Sequence, residues 1–391
     1  MAPVAFSQST IMKPIGGPNL TDERKNSNSL LTALLIPFSV VYGIGVFLRN
    51  KFFDTGIFTS REFPLPIISV GNITVGGTGK TPHVEHIVSV LKDEFRVAVL
   101  SRGYKRKSSG FVLASASSDA EEVGDEPLQI KKKFPEAEVA VSADRVGGVR
   151  KLCNYNKSIQ AVILDDAFQH RWIKPGISVL IVDYNRPVMH DRLLPAGRLR
   201  EGVSSKERAS IVIVSKCPPG ITPIERRIFK KDMDLSPWQS LYFTSFSYGD
   251  PLPVFKEGDP FPAKKASSAG EPVVLMVTGI ATPGILKKYL MDIFPEIVQV
   301  SFPDHHNFTG KDIQRIEKEW NMIGNKRKLI ITTEKDAMRL QKTPGIDPLI
   351  KKNMYYIPVQ VKFGEKNSNK FKKQIVDYVR KNKRNHIVSH K

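Results

Sequence analysis

The chain has 391 residues, of which 59 are Lys or Arg and 39 are Asp or Glu, so its formal net charge at pH 7 is +20. Apolar residues make up 41% and charged residues 25%, a balance that excludes a wholly disordered chain, a collagen-like fibre and a polytopic membrane protein. Two cysteines are too few for a disulfide framework or a cysteine-rich zinc site. The length predicts two or three domains.

The excess of positive charge favours an anionic partner. Nucleic acid, an anionic membrane surface and phosphorylated small molecules are the candidates, and an ordinary lysine-rich surface is the alternative. The sequence carries no nucleic-acid-binding signature, so no nucleic acid is expected among the partners. The membrane surface and phosphorylated molecules therefore stay open.

Near the N-terminus, residues 29–48 carry no formal charge. A membrane-spanning helix needs roughly 20 apolar residues, but Pro37 and two glycines weaken this span. Three interpretations stay open: a helical hairpin in the membrane interface that breaks at Pro37, a spanning helix, and a buried core helix. Lys and Arg on both sides would sit well against anionic head groups, so residues 1–60 are predicted to be a membrane-associated segment.

Short apolar runs separated by helix-length segments follow from residue 66 onward. Near-continuous runs of Val and Ile are typical of strands in a parallel sheet that is covered on both faces. A stretch rich in Pro, Gly and Lys at 251–272 separates the earlier runs from the later ones. The predicted strands lie at 66–73, 96–101, 138–142, 161–164, 179–182, 211–214, 273–278, 297–301, 329–333 and 355–361.

These runs predict an α/β protein with two sheet domains. The first domain, over residues 61–245, has a parallel sheet of the phosphate-loop type. The second is a smaller α/β domain over residues 246–391, and it ends in a basic tail that is predicted to be a helix with a frayed end.

A glycine-rich segment connects the first predicted strand to a helix predicted over 83–92. It matches the phosphate loop, with threonine in place of the first glycine, through Thr74, Val75, Gly76, Gly77, Thr78, Gly79, Lys80 and Thr81. Glycines let backbone N–H groups converge on phosphate oxygens, and the N-terminus of the following helix adds partial positive charge. In this pattern Lys80 reaches the β- and γ-phosphates and the Thr81 hydroxyl binds Mg²⁺. The segment predicts nucleotide binding, with a plain glycine-rich turn as the alternative.

An acidic pair, Asp165 and Asp166, follows the predicted strand at 161–164. One carboxylate can hold Mg²⁺ directly or through water, while the other orients water or binds substrate. Aspartate is also common in ordinary turns after a strand. Beside a phosphate loop, the pair is predicted to be functional.

Several motifs then occur in a fixed order: TVGGTGKTP at 74–82, SRGY at 101–104, GDEP at 124–127, DDAFQH at 165–170, LPAG and LRE within 194–201, and FPDHH at 302–306. Their conjunction resembles the tetraacyldisaccharide 4′-kinase family of lipid A biosynthesis, over roughly residues 30–340. Thr74 belongs to the family pattern. The usual glycine of the DDGFQH-like motif is Ala167 here, a change that matters only if the position needs a positive φ.

The resemblance implies a reaction and a setting. ATP donates its γ-phosphoryl group to the 4′-hydroxyl of a tetraacylated glucosamine disaccharide 1-phosphate, which gives the bisphosphorylated lipid A precursor, lipid IVA. ATP and Mg²⁺ are the implied cofactors, and the acylated disaccharide and the membrane surface are the implied partners. The implied location is the cytoplasmic face of the bacterial inner membrane, for a peripheral or monotopic protein.

The resemblance also implies roles for particular residues. Asp125 of the GDEP motif resembles the family's proposed base, and His305 of the FPDHH motif resembles its dyad partner. An Asp–His pair is physically reasonable because each side chain fixes the proton and orientation of the other. The alternatives are a helix N-cap for Asp125 and a loop histidine for His305. Lys80 and His305 fall in different predicted domains, so a cleft that closes over the nucleotide is predicted.

Further candidate residues surround the same motifs. Arg102 and Arg145 are candidate phosphate or substrate contacts, with a surface salt bridge as the alternative for each. Gln169 is a candidate substrate contact, as is its neighbour His170, with a structural hydrogen bond as the alternative for both. The candidate Mg²⁺ ligands are Thr81, Asp165, Asp166 and Glu201.

Two other functions compete with a lipid kinase. The first is a P-loop GTPase or ATP-driven chaperone. GTPases usually carry an Asn/Thr-Lys-x-Asp motif that recognises the base, and the TEKD segment at 333–336 is superficially similar. That segment lies far from Lys80 in the chain and has Glu before the Lys. The other alternative is a non-catalytic membrane scaffold with a vestigial phosphate loop.

Overall fold

The computed structural model describes residues 29–262, 272–280, 283–304, 306–324 and 327–388. Within these ranges the chain forms one sheet of nine strands and another of five, with helices packed against them. The strands are β1 (Ile67–Gly71), β2 (Val97–Ser101), β3 (Val112–Leu113), β4 (Glu138–Val141), β5 (Ala161–Asp165), β6 (Ile177–Asp183), β7 (Ile211–Ser215), β8 (Ser240–Tyr248), β9 (Leu252–Pro253), β10 (Val273–Thr278), β11 (Ile297–Ser301), β12 (Lys328–Thr333), β13 (Met354–Ile357) and β14 (Val359–Phe363). The helices are α1 (Ser29–Asp54), α2 (Lys80–Leu91), α3 (Ala120–Val123), α4 (Asp125–Lys133), α5 (Arg145–Tyr155), α6 (Pro223–Met233), α7 (Gly284–Met291), α8 (Gly310–Met322), α9 (Glu334–Leu340), α10 (Pro348–Lys352) and α11 (Glu365–Val388).

The first sheet has the strand order β14-β8-β7-β6-β1-β5-β2-β4-β3. Its neighbours are parallel except for the antiparallel outer pairs β14/β8 and β3/β4. Central strand β1 places Val70 opposite Asp165 of β5 on one side and Val179 of β6 on the other. Because parallel strands end at the same edge, the segments after β1, β5, β6 and β7 lie next to one another. That edge carries the candidate site.

The second sheet has the order β11-β10-β12-β13-β9 and is parallel except for β9. α8 contributes Ile313, Ile316 and Trp320 to its core, and α7 contributes Leu286 and Leu290 to a separate cluster. The predicted α/β class with two sheets is confirmed. We refer to the parts of the chain built around the two sheets as the first and second domains.

The chain crosses between the sheets at Pro358. The sequence predicts one strand at 355–361, but the structure has two, with β13 in the second sheet and β14 in the first. Proline has no N–H group for a ladder, so the strand is interrupted where the chain changes sheets. α11 then packs Phe371 and Ile375 into the core beside α2. Residues 359–388, which fall within the predicted second domain, therefore lie on the first sheet.

α1 is a continuous helix whose apolar side chains are mostly exposed. Pro37 lies inside it without breaking it, so the predicted interface hairpin is wrong. The buried-core interpretation is also wrong, because Phe38, Val41 and Phe47 are 65%, 71% and 58% exposed. By length and composition, α1 is the one helix among the described residues that could cross a membrane. Lying on a membrane and crossing it both stay open.

One side of α1 is attached to the loop that follows β6. The Ser39 hydroxyl donates to the carbonyl of Leu193 at 3.1 Å, and the Tyr42 hydroxyl donates to the carbonyl of Arg200 at 2.8 Å. Gly43 permits this close approach, since a Cβ there would lie 2.8 Å from Cδ1 of Leu193. The exposed apolar helix is thus fixed beside the sheet edge that carries the candidate site.

Candidate active site

The phosphate loop lies between β1 and α2, at the edge where the parallel strands end. Gly76 and Gly79 have positive φ angles of 107° and 89°, which residues with a Cβ rarely adopt. Gly79 is the N-cap of α2, so the helix begins at Lys80. The segment has the strand–loop–helix form of a phosphate cradle, with the positive end of a helix beside it.

Two neighbouring strand ends hold carbonyl groups of the loop. Ser215, at the end of β7, donates its hydroxyl to the carbonyl of Thr78 at 2.6 Å. The ammonium group of Lys216 donates to the carbonyl of Gly77 and lies 2.6 Å from Oδ2 of Asp183, at the end of β6. The sheet therefore helps to set the conformation of the loop.

Asn72, buried directly after β1, joins several parts of the site. Its side-chain amide donates to the Thr78 hydroxyl at 2.9 Å, and its Oδ1 accepts from Nζ of Lys80 at 3.4 Å. Its backbone carbonyl accepts a hydrogen bond from the side-chain amide of Gln169. The carbonyl of Gln169 in turn accepts from Arg49 of α1. Gln169 thus makes the structural hydrogen bond that the sequence leaves open as its alternative.

Lys80 contacts the acidic pair after β5. Its Nζ lies 3.4 Å from Oδ1 of Asp166, and Nη1 of Arg200 lies 3.4 Å from both oxygens of the same carboxylate. Burial alone would raise the pKa of Asp166, but these two cations lower it below its usual value. Asp166 has a positive φ of 46°, whereas Ala167 does not, so alanine is accommodated in the DDAFQH motif.

Asp165 is 1% exposed and accepts a hydrogen bond from the Ser101 hydroxyl at 3.1 Å. Burial, and then the negative charges of Glu126 and Asp166, raise the pKa of Asp165 to about 7. A bound cation would relieve this repulsion, and carboxylates with the Thr81 hydroxyl are oxygen donors that fit Mg²⁺. Across the described residues, no cluster of three or more acidic, His or Cys side chains forms a complete metal site.

The GDEP motif meets a helix of the second domain. Gly124, not Asp125, is the N-cap of α4, so the N-cap alternative for Asp125 is wrong. Oδ2 of Asp125 accepts from Nε of Arg339 on α9 at 3.0 Å, and from Nη2 of the same side chain. Glu126 lies 2.6 Å from Lys335, one turn earlier on α9. Burial alone would raise the pKa of Glu126, but the Lys335 ammonium lowers it below its usual value.

Comparison with known protein families identifies the family to which the chain with this site belongs. The model of the family described as tetraacyldisaccharide-1-P 4′-kinase matches residues 31–380. The chain belongs to the tetraacyldisaccharide-1-phosphate 4′-kinase family. The predicted family and kinase class are confirmed against the GTPase, chaperone and scaffold alternatives.

Individual relatives match this kinase over most of its length. The tetraacyldisaccharide 4′-kinase of Phocaeicola vulgatus is 48% identical over 353 residues, which are 90% of this chain and 96% of the relative. That of Bacteroides thetaiotaomicron is 45% identical over 364 residues, or 91% and 95% of the two chains. A crystal structure of LpxK from Aquifex aeolicus in complex with ATP matches with a TM-score of 0.68 and 30% identity, and covers 89% of this chain and 99% of that one. The predicted ATP cofactor agrees with that complex.

Arg102 and Arg145 both lie near the acidic pair of this kinase, but Arg102 is exposed whereas Arg145 is buried. Arg145 is 3% exposed and donates to the carbonyls of Ser142 and Asp165, each at 3.2 Å. Burial lowers the pKa of Arg145 to about 10. Arg102 is exposed just after β2 and makes no hydrogen bond or ion pair with another described residue. Neither arginine forms the surface salt bridge that was its alternative with any residue that the structure describes.

Glu201 and His170 lie toward α1. Glu201 is 1% exposed, with Oε1 3.6 Å from Nη1 of Arg49 and Oε2 accepting from Arg208. Its carboxylate therefore contacts two arginines rather than the acidic pair. Burial, and then the charges of Arg145 and Arg49, lower the pKa of His170 to about 4. Its ring is therefore neutral at pH 7.

His305 lies outside the described residues, so the Asp–His pair and the closing cleft stay predictions. Its neighbour His306 places Nε2 3.0 Å from Oδ2 of Asp312 and stacks on Phe302 with ring centroids 4.9 Å apart. The carbonyl of His306 accepts from Nη1 of Arg339 at 3.4 Å. The FPDHH motif is therefore joined to α9, the helix that also contacts the GDEP motif.

The residues of this site that the sequence-based prediction lacks include Asn72, Glu126, Lys335 and Arg339. For the last two a signal was present, since residues four apart share one face of a helix and can meet two adjacent acids. Asn72 has no signal beyond its place near the end of the strand predicted over 66–73. The TEKD segment starts α9, where the Thr333 hydroxyl accepts from the backbone N–H of Asp336 at 3.2 Å. Its resemblance to a base-recognition motif is thus explained by helix capping.

Proposed function

We propose that this kinase transfers the γ-phosphoryl group of ATP to the 4′-hydroxyl of a tetraacylated glucosamine disaccharide 1-phosphate. Family membership and the names of the relatives support this substrate class. The observation that carries the proposal is that one segment, residues 198–200, contacts both the phosphate loop and α1. Val75 N–H donates to the carbonyl of Arg198 at 2.8 Å, and Tyr42 of α1 donates to the carbonyl of Arg200. A nucleotide and an acylated acceptor can therefore meet at one place.

The phosphate side of the site consists of the glycine-rich loop and Lys80. Phosphoryl transfer needs mainly positioning and neutralisation of charge. The backbone N–H groups of residues 76–81 position the phosphates, and the Lys80 ammonium offsets their charge. Thr81, Asp165 and Asp166 would hold Mg²⁺, which neutralises further phosphate charge when bound.

On the acceptor side, Asp125 takes the proton of the attacking hydroxyl, with His305 as its partner. Asp125 lies in the first turn of α4 beside Glu126, whose charge raises the pKa of Asp165. The base therefore lies close to the acidic pair that Lys80 contacts. Arg102 binds the phosphate or sugar of the acceptor, because its exposed guanidinium is available at the same sheet edge.

The remaining predicted residues take supporting roles in this proposal. Arg145 fixes the backbone at the end of β5 through the carbonyl of Asp165. Gln169 fixes the start of the phosphate loop through the carbonyl of Asn72. Glu201 joins Arg49 of α1 to Arg208, and its role as a Mg²⁺ ligand stays a prediction.

We infer that this site works at the cytoplasmic face of the inner membrane, and that α1 either lies on the bilayer or crosses it. Its exposed apolar side chains match the hydrocarbon interior, and the net charge of +20 favours anionic head groups. An acylated disaccharide resides in the same bilayer. Attachment of α1 beside the phosphate loop therefore brings the kinase to its acceptor.

The test is nucleotide consumption by the purified full chain with ATP or GTP, with and without the tetraacylated disaccharide 1-phosphate. We expect ATP consumption that requires the acceptor, and a lipid product that is heavier by one phosphoryl group. Lys80→Met should lower turnover by about 100-fold or more. The control is Lys92→Met, which removes an exposed ion pair with Glu136 and should leave turnover unchanged. ATP consumption that ignores the acceptor would overturn the proposal.

A further inference from the structure

Motifs from the two domains meet at one side chain, Arg339. It lies on α9 of the second domain, and its side chain is 5% exposed. Nε donates to Oδ2 of Asp125 at 3.0 Å, and Nη2 donates to the same oxygen. Nη1 donates at 3.4 Å to the carbonyl of His306, which follows His305 in the sequence. One guanidinium therefore contacts both the proposed base and the backbone of the FPDHH motif.

Arg339 is itself held by the second sheet. Nη1 lies 3.2 Å from Oδ1 of the fully buried Asp336. Oδ2 of Asp336 accepts from the N–H of Gly279 at 2.9 Å, just after β10, and from the hydroxyl of Thr333, at the end of β12, at 2.8 Å. A guanidinium with partners on several sides is fixed in one orientation. Because Asp336 is bonded to the second sheet, the position of that sheet determines where Arg339 holds the Asp125 carboxylate.

A second cation reinforces the same contact between the domains. Lys335 precedes Arg339 by one helical turn and lies 2.6 Å from Oε1 of Glu126. Asp125 and Glu126 both occupy the first turn of α4. Two positive side chains on one face of α9 thus match two adjacent carboxylates, which fixes the register of the contact.

We propose that Arg339 is a positioning residue for phosphoryl transfer, which holds the Asp125 carboxylate in one orientation and couples it to the second domain. This inference rests on the proposed role of Asp125 as the base. Two N–H donors on one carboxylate oxygen restrict its rotation, and a misplaced base slows transfer steeply. The phosphate loop lies in the first domain, so loss of Arg339 should slow turnover without weakening ATP binding.

The test compares kcat and KM for ATP in variants of the full chain. Arg339→Gln should lower kcat by about 100-fold and leave KM for ATP within about threefold of wild type. Arg339→Lys, which keeps the charge, should restore part of kcat. The matched control is Lys342→Gln, which should leave kcat and KM for ATP unchanged. It breaks an exposed ion pair between the domains, in which Nζ of Lys342 lies 2.9 Å from Oδ2 of Asp119.

A double-mutant cycle distinguishes positioning from a merely structural role. If Arg339 acts through Asp125, Arg339→Gln should lower kcat no further in an Asp125→Asn background. Effects that multiply, or an Arg339→Gln kcat within about threefold of wild type, would overturn the inference. Normal turnover by Asp125→Asn would instead overturn the proposed base, so the two failures are distinguishable.

A folding defect is controlled separately. Arg339→Gln removes the cation that faces the buried Asp336 carboxylate, and an uncompensated buried charge is strongly destabilising. The double variant Asp336→Asn/Arg339→Gln removes that charge as well. It should unfold near the wild-type temperature and still show the reduced kcat. Wild-type kcat in this folded double variant would overturn the inference.

Discussion

The ammonium nitrogen of Lys133, at the end of α4, lies 2.6 Å from Oε2 of Glu85, a carboxylate that is only 3% exposed. The same nitrogen lies 3.3 Å from Oε1 of Glu334, the first residue of α9. The other Glu334 oxygen accepts from the N–H of Val359 at 3.2 Å, where the chain returns to the first sheet. Burial raises the pKa of Glu85 to about 7, although Lys133 acts to lower it. One lysine of the first domain therefore joins α2 to the second domain.

Lys133→Met should lower the free energy of unfolding by about 3 kcal/mol, because it removes the cation beside the buried Glu85 carboxylate. The double variant Glu85→Gln/Lys133→Met should recover most of that loss, as measured by chemical denaturation. Lys92→Met breaks an exposed pair with Glu136 and should cost less than about 1 kcal/mol. Equal losses for the two single lysine variants would contradict this account.

Gly79→Ala should destabilise the phosphate loop for two reasons. The residue has a φ of 89°, and an added Cβ would lie 2.5 Å from the ring of Phe246. The backbone strain alone costs about 1–2 kcal/mol. Adding Phe246→Ala should relieve the clash but not that strain, so the unfolding temperature and KM for ATP should recover only in part. Gly77→Ala is the control for stability, since nothing lies within 4 Å of its Cβ. Full recovery in the double variant would refute the strain argument.

His83 should make stability depend on pH. It is 1% exposed, with Nδ1 2.7 Å from the carbonyl of Gly79 and Nε2 3.0 Å from the Thr244 hydroxyl. Burial lowers the pKa of His83 from 6.5 to about 4, so between these values the unfolded chain takes up a proton that the folded chain does not. The contribution of His83 to the free energy of unfolding should therefore be complete above pH 6.5 and be lost as the pH drops toward 4, whereas the raised pKa values of Glu85 and Asp165 act in the opposite direction. The loss can reach about 3 kcal/mol.

Denaturation of His83→Gln at about pH 7 and about pH 5 measures this effect, and the decline should be shallower than in wild type. His170 contributes to the slope that remains, because burial and three nearby arginines lower its pKa to about 4 as well. His190→Gln changes an exposed histidine and should keep the wild-type slope. An unchanged slope in His83→Gln would show that another group causes the pH dependence.

Membrane binding should depend on the exposed face of α1. The triple variant Phe38→Ser/Val41→Ser/Phe47→Ser should float poorly with vesicles of phosphatidylethanolamine and phosphatidylglycerol, because binding scales with the apolar area buried. Ile224→Ser/Ile228→Ser is the matched control, since these α6 side chains are 72% and 55% exposed. Flotation of the triple variant at the wild-type level would show that α1 is not the membrane contact.

The local pattern of residues in the sequence was sufficient to predict the class of fold and the phosphate-binding loop. Strands such as β1, β5 and β7 are buried on both faces, so their continuous apolar runs are visible in the sequence. Gly76 and Gly79 of the phosphate loop can adopt positive φ because they lack a Cβ, which is a property of the residue itself. β8 is absent from the predicted strands because Ser and Thr residues interrupt the apolar residues along Ser240–Tyr248, so the segment lacks a continuous run of Val and Ile.

The partners of the polar side chains were decided by the tertiary structure. Asp125 and Arg339 are 214 positions apart, and Tyr42 and Arg200 are 158 apart. No periodicity in the chain encodes such pairs, because they depend on how two sheets and their helices are packed against each other. Pro358 marks the interruption of a strand, yet only packing determines that the chain then returns to the first sheet. Burial pattern and backbone preference act over a few residues, whereas ion-pair partners follow from the relative position of whole elements.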